Sequence, residues 1–192
     1  MIRTILFDFG NVLAFFDHGR ALEKLKHHTT IPPAELAIIL YGGELELAYE
    51  CGQISTQKYL TCSLAEFTAA FVDIFTENSG VTRLIPQLEK KYRLVLASNT
   101  NEAHFTHYRK QFMHCLDRFD HLVVSHEVGA RKPARAFYEQ CQRHAHCEPE
   151  ECLFVDDLHS NIHAAEAFGW NGIVLTTPED LETRMKALGV NV

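Results

Sequence analysis

Polar side chains suited to phosphoryl transfer follow four apolar segments of the chain. In chain order they are Asp8, the pair Ser98-Asn99, Lys132 and the pair Asp156-Asp157. Carboxylate oxygens are typical ligands of Mg²⁺, and one carboxylate can act as a nucleophile that carries a phosphoryl group. A hydroxyl, a backbone amide and an ammonium can neutralise the phosphate oxygens. The set therefore predicts a magnesium-dependent phosphoryl-transfer site, provided that the fold brings its members together.

Five short apolar runs rich in β-branched and aromatic residues are the predicted strands. They are Ile2–Phe7, Arg93–Ala97, Leu122–Ser125, Cys152–Val155 and Gly172–Leu175. Their nearly continuous apolar character is typical of strands buried on both faces, as in a parallel sheet covered by helices.

Helical segments alternate with the later strands. The predicted starts are near Thr100, at Pro133, after Ser160 and after Pro178. The first start rests on Asn99 and Glu102, which stand at capping-box spacing. This alternation predicts an α/β fold with a doubly wound parallel sheet.

The segment 15–80 differs from the rest of the chain, because its apolar residues recur with helical spacing. Breaks at Pro32-Pro33, Gly42-Gly43 and Gly52 divide it into three or four short helices. We therefore expect a small helical cap at 15–80, inserted into an α/β core formed by 1–14 and 81–192.

The predicted topology also indicates where the polar residues lie. In open α/β sheets, ligands bind at the carboxyl ends of the strands, beside a topological switch point. Asp8, Ser98 and Asp156 each stand at the end of a predicted strand, and Lys132 follows another. These side chains are therefore expected at one edge of the sheet.

Composition limits the classes of partner. The 192 residues include 18 Lys+Arg and 25 Asp+Glu, for a net charge of −7, which argues against a nucleic-acid partner. No stretch approaches the roughly 20 apolar residues of a membrane span, and the N-terminus does not resemble a signal peptide. The six cysteines form no Cys-x-x-Cys pair, as expected for thiols in a reducing compartment. We expect a cytoplasmic protein without a membrane partner, and its oligomeric state is left open.

The order and the residue sequences of these motifs resemble those of the haloacid dehalogenase-like hydrolase superfamily. The first motif reads Phe-Asp8-Phe-Gly10-Asn, and the last reads Val-Asp156-Asp157-Leu-His. Within the superfamily, the chain is most similar to small sugar-phosphate phosphatases of the α-D-glucose-1-phosphate type and to the N-terminal phosphatase domain of soluble epoxide hydrolase. The resemblance covers nearly the whole chain, including the helical insertion. It implies a phosphatase that acts on a small phosphorylated metabolite.

The resemblance also implies a role for each residue of the motifs. Asp8 would be the nucleophile and a ligand of Mg²⁺, together with the backbone carbonyl of Gly10 and with Asp157. Ser98 and the amide of Asn99 would bind phosphate, and Lys132 would bridge the nucleophile and the phosphate. Asp156 would lie outside the metal ligands and orient Lys132 or a metal-bound water.

One position departs from the family pattern. Phosphatases of this superfamily usually carry a second aspartate two residues after the nucleophile, as general acid and base, and here that residue is Gly10. General acid–base help is worth about 10²–10⁴-fold in rate, so its loss would slow a phosphatase without abolishing activity. Asp17 and His18 are possible proton donors from the segment that follows, although solvated loop residues are the simpler interpretation.

Other interpretations remain at this stage. Taken singly, Asp8 and Asp156-Asp157 could be turn or helix-cap residues, and Lys132 a solvated charge. A 2-haloacid dehalogenase would use an aspartate to attack carbon without a metal. A third hypothesis takes Gly10 as a sign of lost catalysis, in a phosphate-binding or interaction protein on the same scaffold.

Overall fold

The computed structural model describes residues 1–27, 29–41, 43–57 and 65–192. Seven strands lie within these ranges. They are β1 (Thr4–Phe7), β2 (Ala14–Phe16), β3 (Phe75–Glu77), β4 (Arg93–Ser98), β5 (His121–Val124), β6 (Cys152–Asp156) and β7 (Asn171–Val174). Five of them form a sheet in the order β5-β4-β1-β6-β7, and β2 pairs with β3 in a separate sheet.

All neighbours in the five-stranded sheet are parallel, and β1 lies at its centre. Leu6 pairs with Val95 of β4 on one side and with Phe154 of β6 on the other. The chain therefore crosses over between sequential strands of this sheet, which requires intervening helices. The predicted α/β class with a parallel sheet is confirmed.

Both faces of the sheet are buried, as the continuous apolar runs predicted. Leu6, Val95 and Phe154 belong to one apolar cluster, whereas Phe7 and Leu96 belong to another. Successive side chains of a strand point to opposite faces, so the two clusters are the two layers between sheet and helices. The central strands are consequently rigid supports for whatever follows their carboxyl ends.

Twelve α-helices and one short 3₁₀-helix (Pro149–Glu151) lie in the described ranges. The α-helices are α1 (His18–Leu25), α2 (Pro33–Leu40), α3 (Glu44–Glu50), α4 (Ala65–Val72), α5 (Ser79–Thr82), α6 (Ile85–Leu88), α7 (Glu102–Gln111), α8 (Met113–Leu116), α9 (Ser125–Val128), α10 (Arg135–Ala145), α11 (His159–Phe168) and α12 (Pro178–Ala187). None has the length and apolar character needed to cross a membrane.

Three predicted helix starts are displaced by two residues. Helix α11 begins at His159 rather than after Ser160. Helix α7 begins at Glu102, and its N-cap is Asn101, whose side-chain oxygen accepts a hydrogen bond from the His104 amide (2.9 Å). The capping box predicted from Asn99 is wrong, because that side chain instead bonds the main chain of Lys132. Helix α10 begins at Arg135 rather than at Pro133.

Helices α1 to α4 lie between the two strands of the small sheet, in the part of the chain where the inserted cap was expected. The antiparallel pairing of Ala14 with Glu77 and of Phe16 with Phe75 brings the two ends of this insertion together. The insertion thus leaves and re-enters the core at one place, directly after the turn that follows Asp8.

Close contacts join the insertion to the core. The hydroxyl of Tyr49 in α3 accepts a hydrogen bond from the Ala103 amide at the start of α7 (3.1 Å). Gly52 has a φ of 66°, and a β-carbon there would lie 2.0 Å from the carbonyl oxygen of His126. Only glycine fits such an approach, which holds the end of α3 against the core.

Candidate active site

Three adjacent strands bring Asp8, Ser98 and Asp156 to one edge of the sheet. Asp8 directly follows β1, whereas Ser98 and Asp156 are the last residues of β4 and β6. Since these strands are parallel and β1 is the middle one, their carboxyl ends meet. The structure thus brings together the residues that the sequence placed at separate strand ends.

Lys132 lies between two of these carboxylates. Its Nζ is 2.8 Å from Oδ1 of Asp8 and 2.8 Å from Oδ2 of Asp156. The side chain of Lys132 is 1% exposed and that of Asp156 is fully buried. A buried charge of this kind persists only when it is paired, so the three groups form one electrostatic unit.

The main chain of Lys132 is held by Asn99. The side-chain oxygen of Asn99 accepts a hydrogen bond from the Lys132 amide (2.8 Å), and its Nδ2 donates to the Lys132 carbonyl (3.0 Å). Asn99 therefore links the end of β4 to the loop that carries the lysine. The sequence assigned only the amide of Asn99 to the site, so this side-chain contact is an addition.

Burial sets the protonation of Asp8. It raises the pKa of the carboxyl to about 7; the ammonium of Lys132 opposes the rise and the charge of Asp156 adds to it. The Phe9 amide donates to Oδ1 of Asp8 (2.7 Å), which favours the ionised form. The two carboxylates in turn raise the pKa of Lys132, although burial alone would lower it, so the lysine stays charged.

Asp156 is oriented from several sides. Asn161 Nδ2 donates to both of its oxygens (3.0 and 3.1 Å), and the Leu158 amide donates to Oδ1 (2.9 Å). With Lys132 on Oδ2, the hydrogen-bond partners of this carboxylate among the described residues are all donors. Asn161 therefore holds Asp156 in place beside Lys132.

Asp157 completes an acidic cluster. Carboxylate oxygens of Asp8, Asp156 and Asp157 all lie within 4.8 Å of one another. Asn11 donates to Oδ2 of Asp157 (3.1 Å) from a backbone with a φ of 53°, a conformation that asparagine tolerates better than most residues. Burial raises the pKa of Asp157, and the Asn11 hydrogen bond opposes the rise.

The donor set of this cluster fits Mg²⁺. The cluster has three carboxyl groups, of which Asp8 and Asp156 contact the single ammonium of Lys132, so three ionised carboxylates exceed this ammonium by two charges. A divalent cation matches that excess, and oxygen ligands from one or two carboxylates are what Mg²⁺ prefers. Since Lys132 and Asn161 already occupy both oxygens of Asp156, Asp8 and Asp157 are better placed as ligands.

Ser98 lies buried beside the cluster and contacts an aromatic side chain. The hydroxyl of Tyr108 donates to Oγ of Ser98 (3.4 Å), and the Tyr108 ring stacks on Phe9 with centroids 3.7 Å apart. Burial raises the pKa of Tyr108. The tyrosine therefore stays protonated and orients the serine hydroxyl.

Gly10 leaves no room for a side chain in the present arrangement. A β-carbon at this position would lie 2.9 Å from Cε1 of Phe16, at the end of β2. The Phe16 ring thus occupies the space where the second aspartate of the family pattern would begin. The substitution at position 10 is accompanied by a bulky neighbour, rather than by an empty site.

A cavity of about 490 Å³, including the solvent at its mouth, opens beside this edge of the sheet. Core residues and residues of the insertion line it together, among them Gly10, Ser98 and Asn99 from the core and His18, Glu46 and Glu50 from the insertion. The position is the one that the sequence predicted for a ligand, between the carboxyl ends of the strands and the inserted helices.

Comparison with known proteins assigns the family. A family model described as haloacid dehalogenase-like hydrolase matches residues 2–169. The chain belongs to the haloacid dehalogenase-like hydrolases. The predicted resemblance is confirmed over most of the chain, including the segment that holds α1 to α4.

Individual relatives of this hydrolase agree with the assignment. The D-ribitol-5-phosphate phosphatase of Bacteroides thetaiotaomicron is 28% identical over 189 residues, which cover 88% of this chain and 90% of the relative. A structure of a haloacid dehalogenase-like hydrolase from Porphyromonas gingivalis superimposes with a TM-score of 0.84 at 24% identity over 100% of both chains. A family enzyme from B. thetaiotaomicron, in complex with magnesium and inorganic phosphate, has a TM-score of 0.79 at 22% identity, with 90% and 93% of the two chains covered.

The prediction of a hydrolase is confirmed by the family model. The B. thetaiotaomicron relative is itself a phosphatase, and the B. thetaiotaomicron structure holds magnesium and inorganic phosphate. The structural similarity itself establishes the fold. Among the described residues of this hydrolase, the acidic cluster of Asp8, Asp156 and Asp157 could hold a metal ion.

Several contacts in the site were not predicted from the sequence. Asn11 and Asn161 hold the two adjacent aspartates, and Tyr108 holds Ser98. Asn11 carried a usable signal, because asparagine three residues beyond a strand-end aspartate favours a tight turn. Glu50 carried none, since its approach depends on how the inserted helices pack.

Proposed function

We propose that this hydrolase is a Mg²⁺-dependent phosphatase of a small phosphorylated metabolite, with Asp8 as the nucleophile. The observation that carries the proposal is the position of Lys132 between Asp8 and Asp156, with Asp157 in the same cluster. This arrangement supplies a nucleophilic carboxylate, a fixed positive charge and an excess of negative charge for a divalent cation.

Each residue of the cluster has a distinct task in the proposed reaction. Oδ of Asp8 attacks phosphorus and forms an aspartyl-phosphate as the bond to the leaving oxygen breaks. Lys132 neutralises the equatorial phosphate oxygens while it stays paired with Asp156. Asp156 keeps the ammonium in place and is itself held by Asn161, so this buried charge does not move during the reaction.

The phosphate oxygens also need hydrogen-bond donors. The hydroxyl of Ser98 and the amide of Asn99 are proposed for this task, at the end of β4 where both line the cavity. Tyr108 orients the Ser98 hydroxyl, and the Asn99 side chain holds the main chain of Lys132 near the end of β4. Such preorganised donors cost little reorganisation as charge develops on the phosphoryl group.

Asp8, Asp157 and the backbone carbonyl of Gly10 are the proposed ligands of the metal. When bound, Mg²⁺ supplies neutralisation of the phosphate charge and lowers the electrostatic repulsion that an approaching phosphoryl group meets from the carboxylates. Asn11 positions Asp157 for this task through its 3.1 Å hydrogen bond.

A sugar phosphate or polyol phosphate is the proposed substrate class. The segment 15–80 is proposed to act as a cap, because His18, Glu46 and Glu50 from it line the cavity opposite Ser98. Such polar groups suit the hydroxyls of a small leaving group, and none of the three offers a lysine or arginine to a second anionic group. The 28% identity to a D-ribitol-5-phosphate phosphatase supports this class.

A 2-haloacid dehalogenase is the competing enzyme. Asp157 distinguishes the two, because its oxygen within 4.8 Å of those of Asp8 and Asp156 adds negative charge that a metal-free attack on carbon does not need. A phosphate-binding protein without turnover is the remaining alternative, and Gly10 is the observation that favours it. Both alternatives are open to the same assay.

Hydrolysis of p-nitrophenyl phosphate tests the proposal. We expect turnover with Mg²⁺, none with EDTA, and none in Asp8→Asn, whose folding is checked by circular dichroism. Chloride release from 2-chloropropionate that persists in EDTA would identify a dehalogenase instead. A folded wild type that binds phosphate in calorimetry but turns over neither compound would support the binding protein.

Cytoplasmic residence is also proposed. Cys115, Cys141 and Cys152 are buried and unpaired in the structure, and Cys152 Sγ lies 3.6 Å from Cys147 Sγ without a bond. Free thiols this close are typical of a reducing compartment. If the assignment is right, a thiol reagent should label both Cys147 and Cys152 in freshly isolated protein without prior reductant.

A further inference from the structure

The proposed reaction needs a proton that position 10 does not supply. When the bond between phosphorus and an alkoxide oxygen breaks, the departing oxygen gains negative charge and must be protonated; the water that later cleaves the aspartyl-phosphate must lose a proton. Gly10 has no side chain, and the Phe16 ring fills the space beside it. A proton donor supplied by a side chain would therefore be another residue of the cavity.

Two titratable residues of the cavity are already engaged. Both ring nitrogens of His104 are bonded, Nδ1 to Asn101 (3.0 Å) and Nε2 to the Phe71 carbonyl (3.2 Å), and burial lowers its pKa to about 3. The hydroxyl of Tyr108 donates a hydrogen bond to Ser98, and burial raises the pKa of Tyr108. Neither exchanges protons readily near neutral pH.

Asp17 and His18, the two proton donors considered from the sequence, differ in position. Asp17 is exposed and caps α1 by accepting from the Gly19 amide (2.8 Å). His18 lines the cavity, but its ring stacks on Tyr41 with centroids 3.8 Å apart, and burial lowers its pKa. A neutral, stacked imidazole is a poor acid for the first step.

Glu50, in the insertion, has a mostly buried carboxyl group that lines the cavity and contacts a cation. It ends α3, its side chain is 14% exposed, and it lines the same cavity as Gly10, Ser98 and Asn99. Its Oε2 lies 2.9 Å from Nη1 of Arg131, the residue before the site lysine, yet accepts no hydrogen bond among the described residues. The carboxyl thus has a buried oxygen beside the Arg131 cation that no donor among the described residues satisfies.

We propose that Glu50 is the general acid and base of this phosphatase, in place of the aspartate that Gly10 replaces. The inference rests on the proposed function, because it concerns the two proton transfers of that reaction. It also gives the insertion a chemical task, since the proton-transfer group would come from α3 rather than from the loop after β1.

Both steps balance with this single group. In the first, Oδ of Asp8 bonds to phosphorus, the bond from phosphorus to the leaving oxygen breaks, and that oxygen takes the proton of the Glu50 carboxyl. In the second, the Glu50 carboxylate takes a proton from water as the water oxygen bonds to phosphorus and the bond to Asp8 breaks. Phosphate leaves, and Asp8 and protonated Glu50 are regenerated.

The charges around Glu50 suit a group that must both give and take a proton. Burial raises its pKa to about 7; Arg131 opposes the rise, Glu46 adds to it, and the more distant Lys132 also opposes it. Cys51, the next residue, stays a neutral thiol because burial raises its pKa. A pKa near the working pH is the best compromise for general acid–base catalysis.

The test compares two leaving groups in Glu50→Gln. Phenolate from phenyl phosphate needs protonation, whereas p-nitrophenolate leaves without it. We expect the pre-steady-state release of phenol to fall by about 10²–10⁴-fold, and that of p-nitrophenolate by less than about tenfold. With p-nitrophenyl phosphate the variant should release one equivalent in a burst and then turn over slowly, because aspartyl-phosphate hydrolysis lacks its base.

Matched variants separate chemistry from structure. Glu44→Gln makes the same change at an exposed residue of the same helix and should behave as wild type in both assays. Arg131→Met removes the cation that lowers the pKa of Glu50, so the limb of the pH–rate profile near neutrality should move to higher pH. That shift should be absent when Glu50→Gln is added.

The outcomes are distinguishable. Equal slowing of both substrates in Glu50→Gln, without a burst, would mean that the residue only holds the cap through Arg131, and the inference would fail. Wild-type rates in Glu50→Gln would also overturn it while leaving the proposed function intact. A wild type inactive on both esters would remove the proposed function first.

Discussion

The ammonium of Lys132 lies 2.8 Å from Oδ1 of Asp8, and this pair links the loop before α10 to the end of β1. The pair is almost wholly buried, so its energy depends on mutual compensation rather than on solvent. Because Asp156 shares the same ammonium, the site holds more negative than positive charge before any cation binds. The first two predictions follow from that imbalance.

Removal of the lysine should destabilise the protein more than removal of the nucleophile. Lys132→Met leaves two buried carboxylates without a counter-charge, and we expect a loss of about 3–5 kcal/mol in the free energy of unfolding. Asp8→Asn removes one buried charge while Asp156 remains paired, so stability should be unchanged or higher. Thermal melting in EDTA, where no added cation compensates, measures both effects.

The double variant is the control for this prediction. Asp8→Asn combined with Lys132→Met should be more stable than Lys132→Met alone, because one of the two repelling carboxylates is gone. Equal melting temperatures for Lys132→Met and the wild type would contradict the electrostatic unit described for the site.

Magnesium requirement should depend on Asp157 and on its partner Asn11. We expect Asn11→Ala to raise the Mg²⁺ concentration for half-maximal activity by about 10–100-fold, since the loss of an outer partner has effects of this size. Asp157→Asn should raise it further. Titration calorimetry with Mg²⁺ alone should rank the Mg²⁺ affinities of the wild type and the two variants in the same order, and it does not rely on turnover.

The exposed Asp180, on α12, provides a matched control for the magnesium experiment. Asp180→Asn makes the same chemical change away from the cluster and should leave Mg²⁺ affinity at the wild-type value. An unchanged affinity in Asp157→Asn would exclude this carboxylate as a ligand.

Acid should weaken the contact between the insertion and the core through His104. Asn101 donates to Nδ1 and Nε2 donates to the Phe71 carbonyl of α4, so the neutral ring is required. The pKa is lowered from 6.5 to about 3 in the folded state, so below pH 6.5 the unfolded chain binds the proton first. Stability from this group is therefore full above pH 6.5 and is lost as pH falls, by at most about 1.4 kcal/mol per pH unit.

Comparison with His104→Gln isolates this effect from the carboxylates. Glutamine does not titrate, so the stability difference between wild type and variant should shrink as pH falls from 6.5 to 5. Urea denaturation at fixed pH values measures it. A constant difference over this range would show that His104 has the same pKa in both states.

Restoration of the family aspartate should be obstructed by Phe16. The β-carbon of Gly10→Asp would meet the ring at 2.9 Å, and we expect a cost of about 1–3 kcal/mol unless the half-exposed ring swings outward. Adding Phe16→Ala should recover most of that stability. In the Glu50→Gln background, the pair Gly10→Asp and Phe16→Ala should restore phenyl phosphate turnover.

Phe16→Ala alone in the Glu50→Gln background is the control, and it should restore nothing because it adds no acid. Full restoration by Phe16→Ala alone would mean that space, rather than a proton donor, limits the reaction.

Local sequence signals sufficed for the strands and for the residues at their ends. The apolar runs before Asp8, Ser98 and Asp156 are buried on both faces in a parallel sheet, and parallel strands necessarily place their ends at one edge. The capping box at Asn99 was wrong for the same local reason, because Asn101 offers an equivalent side chain two residues later. Asn99 was then free to bond Lys132, a contact across 33 residues that no local pattern encodes.

The amino-acid sequence by itself determined the α/β class, the family and the chemical groups of the site, since strand periodicity and motif order are properties of neighbouring residues. Only the tertiary structure decided how those groups are partnered. The contact of Arg131 with Glu50, and that of Phe16 with the space beside Gly10, join the insertion to the core. Such contacts depend on the packing angles of whole helices, to which many weak contacts contribute and which no short motif specifies.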